Sequence, residues 1–198
     1  MIEFLAELDT TLFHILNSGI ANPVFDFLMP IITDVKYWIP IYALMFIYLA
    51  WRGGENRWGA IIAIVLVAVL TDQINSSILK EFFARPRPCH TMENIRLLVD
   101  CGAGKSFPSS HAANNFALAT VLSFFYRRWK WVFIALASAV AFSRTYIGVH
   151  YPLDLVAGAI VGFLIASAVI LFVTRLGRLS PKIYIPPGQS VTRSDRPS

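Results

Sequence analysis

Charge is what this sequence has least of. Asp, Glu, Lys and Arg make up 15% of its 198 residues, while 56% are hydrophobic. Soluble domains run nearer ~25% charged and ~45–50% apolar. Mean hydropathy is +0.59. A soluble domain of this length has too little interior to hide that much apolar surface. The same figures exclude a disordered chain, a collagen and a disulfide-rich miniprotein. Cysteine is scarce as well, with only Cys89 and Cys101. A basic stripe is missing: the net charge is +5, but the cations sit in short clusters between apolar runs. That is the pattern of membrane topology rather than of nucleic-acid binding. The start, MIEFLAELD, carries Glu3, Glu7 and Asp9 where a cleavable signal would be positive. The alternation of a membrane barrel is also absent, so spanning segments are expected to be helices that satisfy their own backbone.

What is present is a series of apolar runs. A spanning helix needs ~20 mostly apolar residues. Five segments approach this, at about 35–51, 58–80, 108–126, 129–147 and 152–174. The expected fold class is all-α, an integral membrane helical bundle with five or six transmembrane helices. Ile2, Leu5, Leu8, Leu12, Ile15 and Leu16 recur at helical spacing with acids on the other face. This predicts an amphipathic N-terminal helix lying in the interface. Asn22-Pro23 then opens a short apolar piece, and a sixth crossing built from these pieces is the alternative. The expected organisation is interfacial helices over 1–34, a membrane-embedded domain over 35–176, and a basic cytoplasmic tail over 177–198. The tail is rich in Pro, Ser and charge, and is expected to be disordered.

Orientation follows from Lys and Arg. Put the turns around Arg52–Arg57 and Arg127–Lys130, and the tail from Arg175, on one side. That side then holds 10 of the 17 basic residues and only Glu55 and Asp195 as acids. The positive-inside rule makes it cytoplasmic. The long loop at about 81–107 is then extracytoplasmic.

Three polar groups fall at the outer helix ends on this topology. One runs from Lys80 through Arg87-Pro88, the second is Pro108-Ser109-Ser110-His111, and the third runs from Ser143-Arg144 to His150 and Asp154. Lys80, Arg87 and Arg144 have no evident carboxylate partners. Brought together they would repel one another unless an anion sat between them. Arg offers a planar fork for phosphate oxygens and Lys a point charge. Pro108 is placed to open a helix, whose first N–H groups form an anion site. His150 and Asp154, four apart, share a helical face. The carboxylate can hold one ring nitrogen and leave the other as a nucleophile or base. His111 is a second imidazole, available as a general acid.

Lys-x6-Arg-Pro, then Pro-Ser-x-His, then Ser-Arg-x5-His-x3-Asp resembles the type 2 phosphatidic acid phosphatase superfamily over Lys80 to Asp154. The resemblance implies a phosphatase in which His150 attacks phosphorus to form a phosphohistidine and Asp154 orients it. His111 protonates the leaving group. Lys80, Arg87, Ser109, Ser110 and Arg144 hold the phosphoryl oxygens. It implies no cofactor and no metal. One departure stands out: Ser110 occupies a position that is usually glycine in the family. The implied partners are a lipid phosphate and the membrane, with no nucleic acid. Five spans, small size and an outer site look most like the bacterial undecaprenyl-diphosphate phosphatases. The alternatives are a phosphatidylglycerophosphate, phosphatidate or lipid A phosphatase. A transporter would want inverted repeats, and none is visible. A non-catalytic homologue would be expected to have lost His150 or Asp154.

The remaining polar residues read more plainly. Arg85 and Arg96 are expected to be loop charges. Asp72, Asn75 and Ser76 form a polar stripe that must face the bundle interior. Asn114 and Asn115 either brace His111 or bond between helices. Cys89 and Cys101 could be thiols, a metal pair with His90, or a disulfide, and an extracytoplasmic loop favours the disulfide.

Overall fold

The computed structural model describes residues 2–52, 54 and 56–179; nearly all of the expected tail lies outside them. Every regular element among the described residues is helical. Helix α1 (Ile2–His14) continues through a π-type turn, Ile15–Gly19, to α2 (Pro23–Thr33) and α3 (Val35–Arg52). Helix α4 (Arg57–Asp72) runs on through a π-type stretch, Gln73–Leu79, into α5 (Lys80–Phe83). After the short α6 (Pro88–Thr91) come α7 (Ser110–Phe125), α8 (Lys130–Tyr146) and α9 (Pro152–Leu179).

Two stretches, Arg57–Thr91 and Pro152–Gly177, are long and apolar enough to cross a membrane. Glu3–Gly19 and Pro23–Thr33, bent by 115°, make a third if the pair counts as one span. Helices α3, α7 and α8 stand where crossings are expected but fall short in length or apolarity. They have 18, 16 and 17 residues, which is ~24–27 Å at 1.5 Å per residue against a hydrocarbon core of ~30 Å.

The centre of the bundle is built from small and branched residues. Ala63, Ile64 and Val67 of α4 meet Ala117, Val121 and Leu122 of α7 and Ala166, Val169 and Val173 of α9. Helices α7 and α9 run parallel at very close approach. A Cβ on Gly158 would lie 2.5 Å from the Ser109 carbonyl oxygen, and one on Gly162 2.1 Å from that of Ala113. Gly158-x3-Gly162 is the small-residue spacing that lets membrane helices pack backbone to backbone.

This contact sets where the polar groups fall. The Ser109 N–H donates to the Asp154 carbonyl at 3.0 Å, joining the starts of α7 and α9. Asn75, buried in the π-type stretch, donates to the Pro108 carbonyl at 3.2 Å and to Ser110 Oγ at 2.9 Å. The end of α8, with Arg144, returns to the same place. All three motifs therefore share one end of the bundle. Arg57, Arg127, Arg128 and Lys130 lie at the other, where the charge count groups them. Pro108 does not open α7 as expected. The Phe107–Pro108 bond is cis, and the helix begins at Ser110 with Ser109 as its cap, Oγ accepting from the Ala112 N–H at 3.4 Å.

The N-terminal helix is turned the other way from a water-facing amphipathic helix. Its apolar Leu5, Leu8, Leu12 and Ile15 are exposed, while Asp9, Phe13 and Asn17 are fully buried. The outward stripe suits hydrocarbon. Asp9, Asn17 and Asp26 each bond into the part of the chain beyond residue 35, so the chain boundary at 34/35 is not a break in packing.

Replacing Gly162 by Leu is expected to separate α7 from α9. The overpacking should cost about 1–3 kcal/mol or more and lower the thermal unfolding midpoint in detergent. An unchanged midpoint would show that the close approach is not needed.

Candidate active site

His150 lies in the turn between α8 and α9 and is 1% exposed. Asp154, in the first turn of α9, places Oδ2 3.3 Å from His150 Nδ1. The same oxygen accepts the Tyr151 N–H at 2.9 Å and the Ser106 hydroxyl. With Nδ1 turned to the carboxylate, Nε2 is the nitrogen left to carry a lone pair. Burial pushes His150 down to about 4, against the opposing pull of Asp154, so the ring is neutral at cellular pH. Gly148 permits the turn: its φ is +92°, and a Cβ there would sit 2.4 Å from the Arg96 carbonyl oxygen.

Two residues in this arrangement escaped the motif reading. Arg85 is not a loop charge. Its Nη1 donates to Asp154 Oδ1 at 2.8 Å and its Nη2 to Asp9 Oδ2 at 2.7 Å. Its guanidinium lies 3.9 Å from the Tyr151 ring centre, a cation–π contact. Asp9 meanwhile accepts the Leu153 N–H at 2.8 Å, satisfying a first-turn donor of α9. Asp9, Phe13 and Asn17 are spaced i, i+4, i+8, and that was the available signal. Arg96 is also fixed rather than free: it grips Asp26 through both carboxylate oxygens at 2.6 Å and donates to the Asn17 carbonyl at 3.0 Å.

The expected cations do converge. Lys80, Arg87, Arg144 and His150 all lie within electrostatic reach of His111, and Arg87 and Arg144 within that of Lys80. Among the described residues none of the three cations forms an ion pair with a carboxylate. Arg144 is 8% exposed. Its Nη1 donates to Thr33 Oγ1 at 2.6 Å, while its Nε is buried without a partner among the described residues. Arg87 is braced by the carbonyls of Cys101 at 2.7 Å and Gly104 at 3.2 Å.

The Cys89–Cys101 disulfide, with Cα atoms 6.0 Å apart, anchors the residue that offers the first of those carbonyls, three residues before the second. Cys89, His90 and Cys101 also have metal-like proximity, but the sulfurs are bonded to each other and present no thiolate.

Ser109 is fully buried, with its N–H committed to Asp154 and its hydroxyl capping α7. The Ser110 hydroxyl accepts from Asn75 at 2.9 Å, a bond that glycine could not make. The N–H groups of Ser110 and His111, in the first turn of α7, have no acceptor within the helix. Asn115 Nδ2 donates to the His111 carbonyl at 2.9 Å. Asn75 of the polar stripe thus braces the start of α7, and Asp72 lines a cavity with His111.

Removing Arg85 would leave Asp9 and Asp154 buried side by side without a cation. Arg85→Ala is expected to cost about 3 kcal/mol and to lower kcat, with Arg85→Lys recovering part of both. Thermal unfolding and steady-state kinetics check this. The pH dependence of stability has a definite sign. The unfolded chain protonates His150 near 6.5 and the folded chain only near 4, so this group lowers stability as pH falls from the first value to the second. Over that range, wild type should lose more stability than His150→Gln.

Comparison with known proteins agrees with this geometry. The chain matches the profile described as PAP2 superfamily over residues 59–178. It is 40% identical to a lipid A 4'-phosphatase of Bacteroides thetaiotaomicron, over 82% of this chain and 75% of that protein. It is 29% identical to the undecaprenyl-diphosphatase BcrC of Bacillus subtilis, over 72% and 74%. Its fold is similar to the crystal structure of Aquifex aeolicus LpxE, with a TM-score of 0.67 at 30% identity, covering 83% of this chain and 95% of that one.

Proposed function

The chain belongs to the PAP2 superfamily, and from that premise we propose that it is a membrane lipid phosphatase working through His150. His150 Nε2 attacks phosphorus in line, and the leaving oxygen departs with a proton from His111. Asp154 holds the Nδ1 proton and stabilises the positive ring that forms. Lys80, Arg87, Arg144 and the N–H groups of Ser110 and His111 take the phosphoryl oxygens, whose charge grows toward the transition state. Ser109 acts at one remove, by capping the helix that offers those N–H groups. Water then opens the phosphohistidine, with His111 as base.

One observation carries this reading. Among the described residues, three cations without carboxylate partners lie within electrostatic reach of His111, two of them also of His150, and the buried Nε of Arg144 has no acceptor. A phosphoryl group supplies the missing charge and the missing acceptor together.

The site faces the extracytoplasmic side of the plasma membrane in this proposal, with five crossings and the basic tail inside. Charge asymmetry supports that orientation, as does a disulfide beside the site. Undecaprenyl diphosphate is the substrate the sequence suggests. The 40% identity to a lipid A 4'-phosphatase favours a second reading, a phosphate on lipid A.

His150→Ala should release no phosphate from either lipid and form no acid-labile phosphoenzyme, while Arg144→Ala should lose ~10²–10³ in kcat. Chelators should leave wild type active. A His150→Ala enzyme with a tenth of the wild-type rate would remove the covalent step.

A further inference from the structure

The cavity that opens on His111 holds more than a phosphate requires. It measures about 360 Å³, and Ser110 and His111 stand in its wall with Asp72, Asn114, Trp38 and Tyr42. Asp72 is exposed, and among the described residues its side chain takes one hydrogen bond, from the Ser76 hydroxyl at 3.3 Å. A carboxylate repels a phosphate, but it accepts from a hydroxyl or an N–H. Asn114 stands in the same wall; among the described residues its buried Oδ1 has no partner, and such a group calls for a donor. The rings of Trp38 and Tyr42 lie 26° from parallel with centroids 6.0 Å apart. Aromatic side chains beside carboxylate and amide groups suit a sugar ring, whose C–H face is apolar and whose edge carries hydroxyls.

Two apolar clefts continue from this cavity. One, about 230 Å³, shares Tyr42 and Asn114 with it and runs between α3, α4 and α7. The other, about 200 Å³, shares Trp38 and Tyr42 and runs between α3, α7 and α8. They share Tyr42, Met45, Asn115 and Leu118 and then part, one toward α4 and the other toward α8, so a lipid with several chains can reach both.

We propose that the cavity is a sugar subsite, and that the substrate is a phosphorylated glycolipid with more than one chain. The inference rests on the lipid phosphatase reading above and chooses between its two substrates. The phosphate lies among the cations, the sugar offers donors to Asp72 and Asn114, and the chains enter the two clefts. A polyprenyl diphosphate has no donor beyond its phosphates and a single chain.

The test is phosphate release by the purified protein from three lipids: a lipid A phosphate, undecaprenyl diphosphate, and a phosphatidate with matched acyl chains. Wild type should favour lipid A in kcat/KM by about tenfold or more over each of the others. Asp72→Asn and Asn114→Leu should each cut that preference about tenfold. The phosphatidate arm separates the sugar from the chains, since equal rates on lipid A and phosphatidate would overturn the sugar subsite. A wild-type preference for undecaprenyl diphosphate would overturn it too, as would variants that fold and keep the wild-type ratio. Should both variants fail to fold, the wild-type comparison decides. No release from any of the three lipids would instead overturn the lipid phosphatase reading, and this inference with it.

Discussion

Three cations brought together without carboxylate partners are the constraint that the rest of this structure answers. Lys80, Arg87 and Arg144 come from three segments of the chain and lie within reach of one imidazole. Their mutual repulsion grows as water is withdrawn, because the local dielectric falls. The fold holds the two arginines by neutral acceptors instead: Thr33 for Arg144, and the Cys101 and Gly104 carbonyls for Arg87. Neutral braces fix position without cancelling charge. The site is thereby left with a standing demand for an anion, which a phosphate would meet in the proposed reaction.

The carboxylates are arranged by the opposite rule. Asp154 is saturated: His150, Ser106 and the Tyr151 N–H share one oxygen, and Arg85 takes the other. Arg85 is in turn shared with Asp9 of the first helix. One guanidinium therefore sits between two fully buried carboxylates, and the partner of His150 is held from several segments of the chain at once. This gives α1 a place in the site although it lies outside the stretch that matches the family. It also explains why the outer face of α1 is apolar: its polar side chains are used inward.

The substrate reading turns on the same separation of charge. Asp72 lines the space that opens on His111, and the three cations lie within electrostatic reach of the same imidazole. A ligand that satisfies both must carry negative charge at one end and hydrogen-bond donors beside it. The two clefts beyond add a demand for apolar chains.

The sequence by itself determined the chemistry. Scarce charge and long apolar runs called for a helical membrane protein, and the motif residues from Lys80 to Asp154 lie at one end of the bundle. Local rules sufficed for these, because i, i+4 spacing and the charge asymmetry between loops act within short segments. Tertiary structure alone decided the rest. Nothing local marks Arg85 as different from Arg96, and each acquires its role from an acid roughly 70 residues away in the chain. Ser109 rather than Pro108 caps α7, and its N–H donates to the Asp154 carbonyl across the α7–α9 contact. The amphipathic stripe of α1 was legible, but not which side faced the protein. Period and composition fix a helix's faces, whereas the direction each face turns depends on which buried partners it meets.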